Sequence, residues 1–360
     1  MKFLAVILIP GLLLSVTLAA AIIDPWQPYL TMPSGDKIHD LTVFKDPRDG
    51  HKKLVIAEGS GQDAGMAVIR FFDAATSQLT SEFQAPLNTY QGSPYWRSLS
   101  VFKGKLYAGL GDCISTLQCG SPDGGGGSTL SGQVWQFDGT SWNLVLQTSH
   151  TDIYTLGVWN GKLYAGAGTN GSKQAELWVS ADGSSWRLLK QFPNADYVRS
   201  LAVFQDELYI GTRQRADLWS YDGISFTEYG APPGIGAQVK SLVPSPNGSL
   251  LYLGCVKAQI WTWNGTSYTL SLDATATDSE IYKGTVYKGT IFFPTHGKDG
   301  TALGGGHIWR QVNGQWSIQY STPTSPAYGQ LQVVKPYDGY IYAGGLVANG
   351  TPVQLLRALY

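Results

Sequence analysis

One unit recurs along this 360-residue chain, and that recurrence constrains the fold more than any single motif. Its opening segment reads Arg97-Ser-Leu-Ser-Val-Phe102, then Tyr154-Thr-Leu-Gly-Val-Trp159, then Arg199-Ser-Leu-Ala-Val-Phe204. Weaker copies start at His39, Lys240, Tyr282 and Gly329, and successive starts lie 58, 57, 45, 41, 42 and 47 residues apart. A turn containing Gly or Asp follows, then a second segment ending in Tyr-x-Gly: Lys105 to Gly109, Lys162 to Gly166, Glu207 to Gly211, Leu250 to Gly254 and Tyr340 to Gly344. A third segment carries Trp135, Trp178, Trp219, Trp261 or Trp309. Apolar residues alternate with small or polar ones in these segments, which marks them as strands. The turns into a fourth strand read Asp138-Gly, Asp182-Gly, Asp222-Gly, Asn264-Gly and Asn313-Gly, and such pairs predict type I′ turns, where both central residues take positive φ.

Four strands per unit of about 45 residues is the pattern of a β-propeller blade. The expectation is an all-β chain folded as a seven-bladed β-propeller of four-stranded antiparallel blades. The last unit runs out near Leu355–Tyr360, short of a fourth strand, so residues around Trp26 to Met32 are expected to supply it and close the ring. The Tyr-x-Gly strand end, the Trp strand and the turn before an aromatic resemble kelch-like repeats, although the Gly-Gly doublet stands only at Gly344-Gly345. Ser180 to Trp186 and Ser220 to Phe226 are similar to the Asp-box repeats of sialidase-like propellers, one residue shorter between Asp and Gly. These motifs imply blade geometry rather than activity.

Composition removes other classes. Hydrophobic residues at 43% and aromatics at 12% exclude bulk disorder. With 25 basic and 26 acidic residues the net charge is −1, which gives no footprint for nucleic acid or an anionic membrane. Residues 1–21 read as a secretory signal peptide, with an apolar run from Phe3 to Leu14 and small residues at Ala19 to Ala21. Residues 22–360 then form a single secreted, extracellular domain, soluble after cleavage and monomeric. Cys113 and Cys119 are close enough in sequence to staple their loop by a disulfide in an oxidising compartment. Cys255 follows an apolar run and reads as a small buried hydrophobe. The sequons at Asn170, Asn247, Asn264 and Asn349 are glycosylation candidates in a eukaryotic host, and each is also an ordinary Asn-Gly turn.

Repeat symmetry places the aligned starts His39, Arg97, Tyr154, Arg199, Lys240 and Tyr282 around the channel mouth, where they would suit an anion such as a carboxylate or sulfate on a sugar. Asp152, Asp196, Asp278 and Glu280 precede the same strands, and neutralisation of the cations by them is the competing reading. Two long loops, 110 to 132 and 294 to 306, fall on the same face. The Gly166 to Gly171 run matches G-x-G-x-x-G but leads into a strand instead of a helix, so it fails as a dinucleotide motif. His296 and His307 share a loop without a third ligand, and neither metal nor cofactor is expected.

Two functions follow. The first is a secreted, non-catalytic propeller that binds an extracellular ligand, carbohydrate or protein, on the channel-mouth face. The alternative is a glycan-active hydrolase or lyase using a carboxylate pair drawn from Glu58, Asp112, Asp278 and Glu280. The sialidase resemblance implies an arginine triad with Tyr, Glu and Asp. Here only Arg97 and Arg199, with Lys240, approximate the triad, and no Arg-Ile-Pro segment stands near the N-terminus.

Overall fold

The computed structural model describes residues 25–33, 37–59, 67–85, 93–113, 131–169, 174–235, 237–298, 305–322, 330–346 and 353–360. The expected signal peptide, Cys119, Asn170, Asn349 and Gly329 lie outside these residues, as do the side chains of Asp112 and Cys113. All regular structure among the described residues is β.

After β1 (Trp26–Thr31) the strands fall into antiparallel ladders of four. Unit 1 holds β2 (Lys37–Lys45), β3 (Lys52–Gly59), β4 (Val68–Asp73) and β5 (Gln78–Gln84). Unit 2 holds β6 (Ser93–Phe102), β7 (Lys105–Cys113), β8 (Gln133–Phe137) and β9 (Trp142–Gln147). Unit 3 holds β10 (Asp152–Trp159), β11 (Lys162–Gly168), β12 (Ala175–Ser180) and β13 (Trp186–Phe192). Unit 4 holds β14 (Val198–Phe204), β15 (Glu207–Thr212), β16 (Leu218–Tyr221) and β17 (Phe226–Gly230). Unit 5 holds β18 (Val239–Pro244), β19 (Leu251–Cys255), β20 (Gln259–Trp263) and β21 (Tyr268–Asp273). In unit 6 the first strand is broken into β22 (Asp278–Ile281) and β23 (Thr285–Tyr287), which pair with β24 (Thr290–Gly297), ahead of β25 (His307–Val312) and β26 (Gln315–Ser321). Unit 7 holds β27 (Gln330–Tyr337), β28 (Tyr340–Leu346) and β29 (Gln354–Ala358), and β29 pairs antiparallel with β1.

Neighbouring units are joined at one end of their first two strands. Single bridges link Gly59 to Tyr95, Gly111 to Asp152, Gly168 to Tyr197, Arg213 to Gln238, Val256 to Glu280, His296 to Gln330, and Leu346 to Lys37. The apolar core lies between units rather than within them. One cluster sets Phe44, Ile69 and Phe71 of unit 1 against Trp96, Leu106 and Phe137 of unit 2, and another sets Ile38, Leu54 and Phe72 of unit 1 against Val333, Tyr342 and Leu355 of unit 7.

The recurring glycine of the second strand follows from this packing. A Cβ on Gly109, Gly166, Gly211, Gly254 or Gly344 would stand 2.6–2.8 Å from a methyl of Ile153, Val198, Val239, Ile281 or Ile38, each on the first strand of the next unit. Removing the side chain lets a β-branched residue seat directly on the neighbouring strand.

The turns correct one expectation. In the Asp138, Asp182, Asp222 and Asn264 turns only the glycine takes positive φ. The Asp or Asn side-chain oxygen instead accepts from the two backbone N–H groups two and three residues on, for Asp182 those of Ser184 and Ser185 at 2.8 and 2.7 Å. A side-chain acceptor that holds both amides makes a positive φ at its own position unnecessary. Positive φ at both central residues occurs at Asn313-Gly314 and mainly in the turns between first and second strands, as at Lys103-Gly104, Asn160-Gly161 and Asp338-Gly339.

Candidate functional site: a cationic cavity at the centre

Each bridge that joins two units fixes a residue two positions further along the first strand. Counting from Lys37, Tyr95, Asp152, Tyr197, Gln238, Glu280 and Gln330, these are His39, Arg97, Tyr154, Arg199, Lys240, Tyr282 and Gln332. In six units the ladder register slips at that residue, between Ile38 and Asp40, Trp96 and Ser98, Ile153 and Thr155, Val198 and Ser200, Val239 and Ser241, and Leu331 and Val333. A β-bulge leaves one residue without a partner on the adjacent strand and re-aims its side chain. In unit 6 the slip comes earlier, between Asp278 and Glu280, and the strand breaks beyond Ile281.

All seven side chains line one cavity, together with Lys283. The six residues singled out from the sequence are therefore brought together. Gln332 supplies the unit 7 position three residues beyond the aligned start Gly329. Lys283 was not anticipated. Its Nζ, coming from unit 6, reaches Asp40 of unit 1 at 2.9 Å and donates to the Arg97 carbonyl of unit 2 at 2.7 Å, so it spans the centre.

The cations differ in how they are compensated. Arg97 pairs with Asp152 (Nε to Oδ1, 3.2 Å), which also accepts from the Tyr197 hydroxyl at 3.2 Å. Lys240 Nζ lies 2.6 Å from Glu280 Oε2, and the Tyr282 hydroxyl donates to the same oxygen at 2.5 Å. Arg199 is 7% exposed, its Nε has no hydrogen-bond partner, and no carboxylate pairs with it among the described residues. Aromatic rings flank it, with Cζ 3.7 Å from the Tyr154 centroid and 5.0 Å from that of Tyr197. Burial, and then the charges of Arg213 and Arg97, pull the Arg199 guanidinium down to about 9 against the opposing attraction of Glu280 and Asp152. Burial likewise pulls the Lys240 amine down to about 8, against the opposing attraction of Glu280. Burial and the Arg97 charge hold His39 well below its usual range, so its imidazole is neutral at pH 7.

The proposed neutralising carboxylates thus divide. Asp152 and Glu280 do pair with cavity cations, whereas Asp196 pairs with Arg213 at 3.4 Å. Asp278 is engaged elsewhere, by His307 Nδ1 at 2.8 Å, the Thr295 hydroxyl at 2.5 Å and Trp309 Nε1 at 3.0 Å. Glu58 is buried against Arg70 Nε at 2.7 Å, and desolvation pushes its carboxyl up to about 7. Glu58, Asp278 and Glu280 therefore hold different partners, and the Asp112 side chain lies outside the described residues.

Two other features are set aside. Asp49, His51 and Asp73 bring possible ligand atoms within 4.8 Å of one another, but Lys53 Nζ lies 2.6 Å from Asp49, where it competes with a cation. Cys255 is fully buried, and desolvation pushes its thiol far above the ordinary range, which makes it a poor nucleophile.

Radially joined four-stranded antiparallel units around a central cavity define a β-propeller. The chain is similar to a chain of the mitotic checkpoint complex at 14% identity and TM-score 0.63, covering 93% of this chain and 96% of that one. It is also similar to YCF48 bound to D1 peptide, at 11% identity and TM-score 0.61, covering 94% and 96%. The extracellular domain of a hybrid two-component system from B. thetaiotaomicron matches at 10% identity and TM-score 0.62, over 92% of this chain and 40% of that one. At such identities the likeness carries the fold alone. No family model and no curated protein matches the chain.

Proposed function

We propose that the chain is a secreted, non-catalytic, seven-bladed propeller of kelch-like or Asp-box repeats that binds an extracellular ligand, carbohydrate or protein, bearing an anionic group. The observation that carries this reading is the convergence of His39, Arg97, Tyr154, Arg199, Lys240 and Tyr282 on one central cavity, with a buried guanidinium that enters no ion pair among the described residues. The seven inter-unit bridges, including that from Leu346 back to Lys37, and the pairing of β1 with β29 support a closed ring. Asn247 and Asn264 are exposed at turns, as glycan acceptors must be.

The test is retention of the chain on a glycan and polysaccharide array, with cleavage followed by mass spectrometry. Retention without mass change is expected. Replacing Arg97, Arg199 and Lys240 together with Ala is expected to abolish retention while circular dichroism keeps its strand signature. Persistent binding by the triple variant refutes this site, and cleavage of a glycan refutes the non-catalytic reading.

A further inference from the structure

We propose that the cavity at Arg199 is a built site for one small monovalent anion of the chloride class, held inside the propeller whether or not a larger ligand docks outside. Charge is the first argument. Four cations line the cavity, Arg97, Arg199, Lys240 and Lys283, and three of them meet a carboxylate, Asp152, Glu280 and Asp40 respectively. Among the described residues one positive charge is left over, and Arg199, which is buried and attracted by Glu280 and Asp152 only from beyond ion-pair distance, carries it, a strongly unfavourable placement.

Donor geometry is the second argument. The Tyr154 ring covers the guanidinium, with its centroid 3.7 Å from Cζ, and the Tyr197 centroid lies 5.0 Å from the same atom. Nε of Arg199 is buried without a hydrogen-bond partner, and its side chain lines the cavity. An anion accepts from that N–H, whereas a metal cation is repelled by the surrounding charge.

Size is the third argument. The cavity measures about 30 Å³, against roughly 10–15 Å³ needed to hold one water. Lys283 also lines this space as it reaches from unit 6 to units 1 and 2. A monatomic anion fits this space, and a sugar ring does not.

The test compares thermal unfolding of the chain in sodium chloride and in sodium methanesulfonate at equal ionic strength. The bulkier methanesulfonate controls for screening and general salt effects. A saturable chloride-specific rise in Tm of about 2 °C or more is expected. Arg199→Met, which removes the charge and keeps most of the side-chain volume, is expected to lose it. Equal Tm curves in the two salts for the wild-type chain overturn the proposal, and so does an undiminished chloride response in folded Arg199→Met. Should that variant fail to fold, crystals of the unaltered chain grown in sodium bromide decide the matter. An anomalous peak beside the Arg199 guanidinium supports the site, and ordered water alone at that position refutes it. Failure of the array experiment leaves these results untouched, because neither readout involves a glycan or protein ligand.

Discussion

At the scale of the residue, the same chemical problem is met repeatedly by different side chains. The third-strand tryptophans need an acceptor for their indole N–H, and the residue two positions earlier supplies it: Gln133 for Trp135 at 2.8 Å, Glu176 for Trp178 at 2.9 Å and Gln259 for Trp261 at 3.3 Å. In unit 6 that earlier residue is His307, and Asp278 serves both the histidine and Trp309. The histidines offer the sharpest pH prediction. The hydrogen bond that His51 donates to Asp73 raises His51 above its ordinary 6.5, whereas burial lowers His39 below it. The signs differ in consequence. For His51 the folded state holds its proton more tightly, so its contribution is present below pH 6.5 and is lost as pH rises through the folded-state value. For His39 the unfolded state takes the proton first, so stability is lost as pH falls below 6.5. An NMR titration of the ring protons should place His51 above and His39 below 6.5, with Asp73→Asn returning His51 toward the ordinary value. A His39 midpoint at or above 6.5 would contradict the buried, cation-flanked environment described for it. Much of this scale was not legible in the sequence. Asp138-Gly and Asp182-Gly read as turn pairs, but whether the carboxylate merely tolerates positive φ or organises the loop depends on where its oxygen points.

Strands and their joints were more legible, because alternation and Tyr-x-Gly repeat in register. The glycine is the clearest link from sequence to site. Gly211 admits Val239, the residue immediately before Lys240, and Gly166 admits Val198, immediately before Arg199. An extra methyl at either position pushes the next unit's first strand outward and moves a cavity cation with it. Gly211→Ala is expected to cost about 1–3 kcal/mol in urea unfolding, as overpacking of a tight interior does. Gly104→Asn, at an open turn with φ of +74°, is expected to be nearly neutral. Equal stability of the two variants would show that the close approach is easily relaxed. The six aligned starts could be located because each is followed by an apolar, strand-forming pattern. Gln332 was missed because the weak copy in unit 7 aligns three residues early, at Gly329. Lys283 was missed for a different reason: it lies in the break between β22 and β23, and only the tertiary arrangement carries it across to Asp40.

Over the whole molecule, each apolar cluster draws on two adjacent units, so a unit alone buries little of its own surface. Stability is accordingly shared around the molecule, and loss of one interface is felt by both neighbours. The interface that depends most on residues far apart in sequence is that of β1. Trp26 is 1% exposed, belongs to the cluster between units 6 and 7, and donates its indole N–H to the Tyr360 hydroxyl at 2.8 Å. Trp26→Ala is expected to cost about 3–5 kcal/mol, read by denaturant unfolding. A loss below about 1 kcal/mol would mean that β1 contributes little to holding β29 in place. The repeating four-stranded units were legible from periodicity, whereas the partner of β29, more than 300 residues away, was reached only by noticing what the last unit lacked. That same pairing sets how the molecule answers to tension. Trp26 lies opposite Ala358 while Thr31 lies opposite Gln354, so a pull on the two chain ends loads the ladder one rung at a time, as a zipper is opened, rather than shearing all its rungs together. The seam between first and last strands is therefore the mechanically soft line among the mutually braced units, and under load it is expected to open first.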